Sequence, residues 1–309
     1  MKLIIQIPCF NEESVILETL KDLPKKIQGV TCIEYLIIDD GSNDKTVDVA
    51  KKFGVKHIVK HHHNQGLAKA FMSGIHYSIE NGADIIVNTD ADNQYKASFI
   101  KDLVKPIIEN NADIVIGTRP ISKIKHFSFI KKCLQKFGSF FVRVLSNTDV
   151  KDAPSGFRAF SRSAAEQLIV FNEYTYTLET IIQAGHKNIK IVSCPIDING
   201  ETRPSKLVKN IFSYVKKSAI TMIRIYVIYK PFRFFIYLAL FFLFFGLIIC
   251  FRFLYLFIIG EGTGHIQSLQ LGTLLILIGF INVLFAFLSD LIAANRKLLE
   301  EIRNKINRY

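Results

Sequence analysis

The chain contains no tryptophan, so no motif built on that residue can be present. Neither common glycine-rich phosphate signature occurs. There is no G-x-G-x-x-G and no G-x-x-x-x-G-K-[ST], so the usual dinucleotide and P-loop modes lack their glycines. A nucleotide, if bound, must be held another way. The five cysteines (Cys9, Cys32, Cys133, Cys194, Cys250) are scattered, with no C-x-x-C pair. That leaves no disulfide or zinc framework and fits a reducing compartment. The opening stretch, MKLIIQIPCFNEE, has one lysine and an apolar run too short for a signal peptide, so no cleavable export signal is expected.

What is present is a long chain with a basic excess and two apolar blocks. The 309 residues carry 39 Lys and Arg against 27 Asp and Glu, a formal net charge of +12. Half the residues are hydrophobic, and they pile up near the C-terminus. FFIYLALFFLFFGLIICF, residues 234–251, contains no charge, and neither does the stretch 266–289. Each reaches the roughly 18–20 residues that cross a hydrocarbon core of about 30 Å. Buried core helices are usually shorter and more broken by polar residues. The connector IIGEGTGHIQS has no Lys or Arg, whereas Lys209, Lys216, Lys217, Arg224, Lys230 and Arg233 precede the first span. Arg296, Lys297, Arg303, Lys305 and Arg308 follow the second. The positive-inside rule then predicts both ends in the cytoplasm and the connector outside, at the cell membrane. Arg252 lies where it can snorkel, and Asn282, polar within the second span, is expected to bond between helices. Upstream, Val208, Ile211, Phe212, Val215, Ala219 and Met222 recur at spacings of three and four, with lysines largely between them. That is a basic amphipathic helix suited to an anionic leaflet. The expected partner is a membrane and not a nucleic acid.

The first two thirds alternate between strand and helix patterns. KLIIQI, IEYLIID, VKHIVK, DIIVNT and DIVIGT read as strands. EESVILETLKDL, DKTVDVAKKFG, GLAKAFMSGIHYSIENG and KASFIKDLVKPIIENN read as the intervening helices, the second stopped by Gly54, the third by Asn81-Gly82, and the fourth bent or ended near Pro106. Such alternation gives an α/β fold with a largely parallel sheet and helices on both faces, with ligands at the carboxyl ends of the strands. The polar clusters Asn11-Glu12, Asp39-Asp40, Asp90-Asp92 and Arg119 all fall at such ends. The run His61–His63 does not read as a metal site, because neighbouring residues on a strand point to opposite faces.

VNTDADNQY, residues 87–95, drops from an apolar run into two aspartates one residue apart. Clustered carboxylates raise each other's pKa unless a cation joins them. Oxygen ligands of this kind suit Mg²⁺ or Mn²⁺ shared with substrate phosphates, although a solvated turn with capping aspartates would look the same. The stretch IIDDGSNDKT ends a second strand in two more aspartates, which strengthens the metal and phosphate reading.

IPCFNEE, IIDDGSNDKT, NQGLAKAFMSG, NTDADNQY, GTRP and DAPSGFRAFSR occur in the order that resembles family 2 inverting glycosyltransferases of the GT-A fold. The likeness is greatest to membrane-anchored polyprenyl-phosphate (dolichyl-phosphate) hexosyltransferases, and it extends over essentially the whole chain. The resemblance implies that Pro8, Asn11, Glu12 and Asp39 line the nucleotide base and ribose, with Asp40 in support. It implies that Asp90 and Asp92 hold the metal on the donor diphosphate, completed by Gln94. Arg119, Ser155 and Arg158 would face phosphates, and Arg203, Ser205 and Lys206 of NGETRPSKL would contact donor and lipid phosphate. Asp152 falls where relatives place an acidic residue near the acceptor. The implied partners are a nucleoside-diphosphate sugar and a polyprenyl phosphate, and a homo-oligomer is allowed but not required. Hexose, nucleotide base and lipid stay open, because one scaffold serves them all.

The expected layout is a catalytic domain over 1–206, amphipathic helices over 207–231, and a hairpin over 232–309 with spans near 233–256 and 267–290 and a basic cytosolic tail. A processive polysaccharide synthase would need a Q-x-x-R-W type motif, which a chain without tryptophan cannot carry. A transporter would need more spans than two to line a pathway. A non-catalytic nucleotide-binding membrane protein could lose the acidic clusters, which this chain retains. A transferase to a hydroxyl acceptor remains the alternative within the same superfamily.

Overall fold

A computed structural model describes residues 1–120, 129–170, 176–199, 219–221, 223–224, 226–262 and 264–306. The chain divides into two compact units, Met1–Val215 and Lys216–Tyr309.

The first unit is built on a seven-stranded sheet. Its strands are β1 (Lys2–Cys9), β2 (Cys32–Asp39), β3 (His57–Lys60), β4 (Ile85–Asn88), β5 (Ile114–Thr118), β6 (Arg158–Ser161) and β7 (Ile191–Pro195). The order across the sheet is β3-β2-β1-β4-β6-β5-β7. β1, β2, β3 and β4 pair in parallel, as do β5 and β7, whereas β6 runs antiparallel between β4 and β5. Helices α1 (Ile16–Asp22), α2 (Thr46–Phe53), α3 (Leu67–Glu80) and α4 (Ile100–Ile108) follow the first strands. Then come α5 (Phe129–Ser146), α6 (Arg162–Gln167) and α7 (Thr177–His186).

The local chemistry accounts for the elements. β1 is apolar on both faces because a parallel central strand is covered on both sides, and Leu3, Ile4, Ile5 and Ile7 are fully buried. Gly54 closes α2 in the left-handed conformation at φ +99°, donating its N–H to the carbonyls of Ala50 and Lys51. α4 runs two residues past Pro106 before it ends. The expected helical pattern for this segment therefore holds through the proline, whose missing N–H costs only one bond in a short helix.

β6 and β7 were not among the five strands expected up to residue 118. β6 is only four residues long, too short for its periodicity to register. Its direction matters for function. In the antiparallel pairing Asn88 faces Arg158 and Ile116 also faces Arg158, so the start of β6 lies at the carboxyl ends of β4 and β5.

The second unit contains α8 (Pro231–Ile259) and α9 (Ile266–Ile306), both long and apolar enough to cross a membrane. Gly260, at φ +88°, ends α8. Small residues let the two helices approach: a Cβ on Gly246 would meet the Gly272 carbonyl oxygen at 3.0 Å, and one on Gly279 would meet Leu243 Cγ at 2.6 Å. The segment after residue 290, expected as a basic tail, continues α9 as helix to Ile306. Asn282 differs from expectation. Its amide donates to the Ile278 carbonyl of its own helix at 2.9 Å, the ordinary way a polar residue turns inward four residues back. Most of the expected amphipathic helix over 207–231 lies outside the described residues; those described at 219–221 and 226–229 are helical.

Candidate active site

The sheet order reverses between β1 and β4: β2 and β3 extend one way from β1, and the later strands extend the other way from β4. Open α/β sheets bind ligands at the carboxyl side of such a point. Pro8 sharpens the opening. β4 pairs with β1 only as far as Gln6 with Asn88, so the N–H that Pro8 lacks would face the gap where β4 has already diverged.

On the β1/β2 side the acidic residues are tightly organised. Asp39 is fully buried; one oxygen accepts from the Ser42 N–H at 3.1 Å, while Oδ2 has no hydrogen-bond partner among the described residues. A buried carboxylate oxygen left unmatched is costly, and a ligand donor is the simplest partner for it. Asn11 sits at φ +56°, donates its main-chain N–H to Ser42 Oγ at 2.9 Å, and accepts with its side-chain oxygen from the Asn43 N–H at 2.9 Å. The Glu12 N–H donates to Thr46 Oγ1 at 2.8 Å, and its side chain is buried.

Asp40 works inward. It accepts from the Gln65 and Gly66 N–H groups at 2.9 and 2.8 Å and pairs with His61 Nδ1 at 2.7 Å. His61 Nε2 reaches Ser73 Oγ at 3.0 Å. Of the three adjacent histidines, His61 is therefore a buried brace, while His62 and His63 are exposed. Gly41 is obligatory here, since at φ +76° a Cβ would meet the His63 carbonyl carbon at 2.6 Å.

On the β4 side, Asp90 and Asp92 leave the strand end half-buried. Burial first, then the neighbouring Asp92 carboxylate, raise the Asp90 pKa to about 7, against the lowering effect of Arg119. Asp92 Oδ1 accepts from the Gln94 N–H at 3.1 Å. Among the described residues no group of three or more His, Cys, Asp or Glu could hold a metal. Two carboxylates with the Gln94 amide still form a hard oxygen set. Such a partial set, completed by water and phosphate oxygens, is how Mg²⁺ or Mn²⁺ is usually bound. A carboxyl raised by a neighbouring carboxylate is the electrostatic setting that a cation relieves.

The antiparallel entry of β6 brings residues 152–157 across this corner. Arg119, at the end of β5, is gripped by Asp152 through two bonds, Nε to Oδ2 at 2.7 Å and Nη2 to Oδ1 at 3.0 Å. Burial works against the charge on Arg119, but Tyr95, Asp152 and Asp90 outweigh it and raise its pKa further. Asp152 was expected beside the acceptor. It is fully buried, and both of its oxygens accept from Arg119.

Arg158 also departs from expectation. Instead of facing phosphates it is completely buried, donating to the Ser155, Thr177 and Ala153 carbonyls and to Thr180 Oγ1 at 2.7–2.9 Å. Burial lowers its pKa to about 10, and it remains a cation that ties the loop before β6 to α7. Ser155 is fully buried, and its Oγ has no partner among the described residues. Arg203, Ser205 and Lys206 lie outside the described residues.

Beneath these groups is a layer that the sequence reading missed. Gln6 Nε2 donates to Asn88 Oδ1 at 2.9 Å, and Asn88 Nδ2 donates to the Gly156 carbonyl and to Tyr176 Oη at 2.9 and 2.8 Å. Tyr95 Oη accepts from the Gly156 N–H at 3.1 Å. Tyr176 stacks on Phe71 with centroids 3.8 Å apart. The available signal was Gln6, a lone amide inside an apolar strand. Gly156 is packed so closely that a Cβ would lie 3.0 Å from Asp90 Oδ1.

Residues 4–169 match the family described as Glycosyl transferase family 2. The chain belongs to that family. As a member of glycosyl transferase family 2 it is a glycosyltransferase. It is 31% identical over 212 residues to a UDP-N-acetylglucosamine–dolichyl-phosphate N-acetylglucosaminyltransferase of Methanococcus voltae, covering 62% of this chain and 82% of that one. It is 28% identical over 225 residues to a dolichol-phosphate mannosyltransferase of Pyrococcus furiosus, covering 70% and 62%. In structure it resembles glucosyl-3-phosphoglycerate synthase from Mycobacterium tuberculosis, solved with Mn²⁺ and uridine diphosphate, at a TM-score of 0.58 and 16% identity over 73% of this chain and 78% of that one. The sheet is thus the GT-A fold expected of this glycosyltransferase family.

Proposed function

We propose that the protein transfers a hexose from a nucleoside-diphosphate sugar to a polyprenyl phosphate, with inversion, at the cytoplasmic face of a membrane. Two of its relatives are named as dolichyl- or dolichol-phosphate sugar transferases. The observation that carries the reading is that the strand ends on the two sides of the β1/β4 parting hold an unmatched buried oxygen on Asp39 and the neighbouring carboxylates Asp90 and Asp92. The catalytic unit corresponds to residues 1–206, followed by juxtamembrane helices over 207–231 and the hairpin over 232–309.

In this reading Asp39, Asn11 and Glu12 hold the base and ribose beside Pro8. Asp90, Asp92 and Gln94 would hold Mg²⁺ or Mn²⁺, which supplies positive charge to the departing diphosphate. Arg119, fixed by Asp152, presents its remaining N–H donors toward the phosphates from a preorganised position. Ser155 offers its unpaired hydroxyl to the same oxygens. A lipid phosphate is already an anion near neutral pH, so no side chain need remove a proton from it. That agrees with a corner in which Asp152 is committed to Arg119. Positioning by Arg203 and Lys206 takes the place of a base.

The test is chemical. Membranes carrying the protein are incubated with a panel of sugar nucleotides and polyprenyl phosphate, and the glycolipid is identified by mass. A phosphate-linked sugar is expected from at least one donor. Sugar found only on hydroxyl acceptors would overturn the reading. Arg203→Lys keeps the charge but loses the forked bond, so transfer should fall while donor binding by calorimetry weakens less.

A further inference from the structure

The loop that carries Asp90, Asp92 and Gln94 is held from two directions by residues with no role so far. Thr19 of α1, 3% exposed, donates its hydroxyl to the Ala91 carbonyl at 2.7 Å. From the other side, Asn199 makes two bonds: its side-chain Nδ2 donates to the Asn93 carbonyl at 2.9 Å, and its main-chain N–H donates to the Gln94 carbonyl at 2.9 Å. The neighbouring Ile198 forms a bridge to Tyr95. Asn93 itself occupies the left-handed region at φ +53° and donates its amide to Asp22 of α1 at 2.9 Å. The carbonyls of 91, 93 and 94 are thus each engaged by a distant part of the chain, which fixes the backbone from which the side chains of 90, 92 and 94 project.

We propose that Thr19 and Asn199 are positioning residues for the metal. They clamp the loop in the shape that keeps two mutually repelling carboxylates together. This rests on the metal reading above. Without a cation, the two carboxylates repel each other, and the turn that carries them includes Asn93 in the left-handed region. Anchoring three of the turn's carbonyls fixes its backbone before the metal arrives, so that binding need not supply the ordering.

The experiment is a Mn²⁺ titration of the purified full chain in detergent, reading free Mn²⁺ by electron paramagnetic resonance, with thermal unfolding in EDTA run alongside. Asn199→Ala removes the side-chain donor and keeps the main-chain one. Thr19→Val keeps the shape and removes the hydroxyl, and Thr19→Ser restores it. Each of the first two should weaken Mn²⁺ binding about 3- to 10-fold, the worth of one hydrogen bond, and by more than the accompanying loss of metal-free stability explains. Thr19→Ser should bind as the wild type does, and excess Mn²⁺ should return the transfer rate of both weakened variants. Unchanged Mn²⁺ binding in Asn199→Ala and Thr19→Val would overturn the clamp. So would weakening that only tracks a loss of metal-free stability. A wild-type chain that binds no Mn²⁺ would instead overturn the metal reading, and the clamp with it.

Discussion

Asp90 concentrates the chemistry of the site in one titration. Its ordinary value is near 4, and burial together with Asp92 raises it to about 7 in the folded protein. A raised carboxyl means that the folded state holds a proton which the unfolded chain has already lost. The stability that Asp90 contributes in the metal-free protein is therefore full below about pH 4 and is lost as pH rises through about 7. A cation must displace the same proton. Mn²⁺ affinity should rise by up to about tenfold per pH unit below about pH 7 and level off above it. Affinity that is flat from pH 5 to 7 would show that metal binding displaces no proton from a carboxyl raised to about 7. In Asp92→Asn the second cause of the shift is gone, so the pH dependence should move to lower pH while turnover drops about 10²–10³-fold. The two aspartates were plain in NTDADNQY, as was Asp39 in IIDDGS. What Asp152 and Arg158 do was not legible, because a buried pair and a buried arginine look the same in a sequence as exposed ones.

At the scale of elements, the α8–α9 hairpin shows how spacing becomes contact. Ala239 and Gly246 lie seven apart on α8, and Gly272, Gly279 and Ala286 lie seven apart on α9. Ala239 and Ala286 are buried although most of their neighbours are exposed. Seven residues are two helical turns, so the small residues form one stripe on each helix and the backbones close on it. A Cβ on Gly272 would lie 2.7 Å from Cys250 Sγ. Gly272→Cys should accordingly form a disulfide with Cys250 under mild oxidation in the membrane, joining the two peptides in a digest. Failure to cross-link would mean that the helices do not meet along this stripe. The apolar content of both helices was evident from composition. The stripe is not legible in the sequence, because glycine and alanine do not stand out among Phe, Leu and Ile.

For the whole molecule, the distribution of Lys and Arg is the physical basis for the topology. Basic residues flank the two spans on one side and are missing from the connector. The proposed arrangement places the catalytic unit and both termini in the cytoplasm and the connector outside. With Cys250 replaced to remove background, Thr263→Cys should react with an impermeant maleimide in intact cells. Labelling only after lysis would reverse the orientation.

By itself the sequence determined the alternation of strands and helices, the two apolar spans, and the acidic clusters at strand ends. These are local facts, because hydrophobic period and chain-terminating residues act over a few neighbours. It could not determine which distant segments meet. The antiparallel insertion of four-residue β6 carries residues 152–157 over the ends of β4 and β5. That placement sets Asp152 against Arg119, commits Arg158 to the interior, and lays Gly156 on Asp90. Likewise Asn199 reaches Asn93 only through the fold. Long-range pairing is decided by the burial and hydrogen-bond satisfaction of the whole sheet, a global balance that no window of sequence contains.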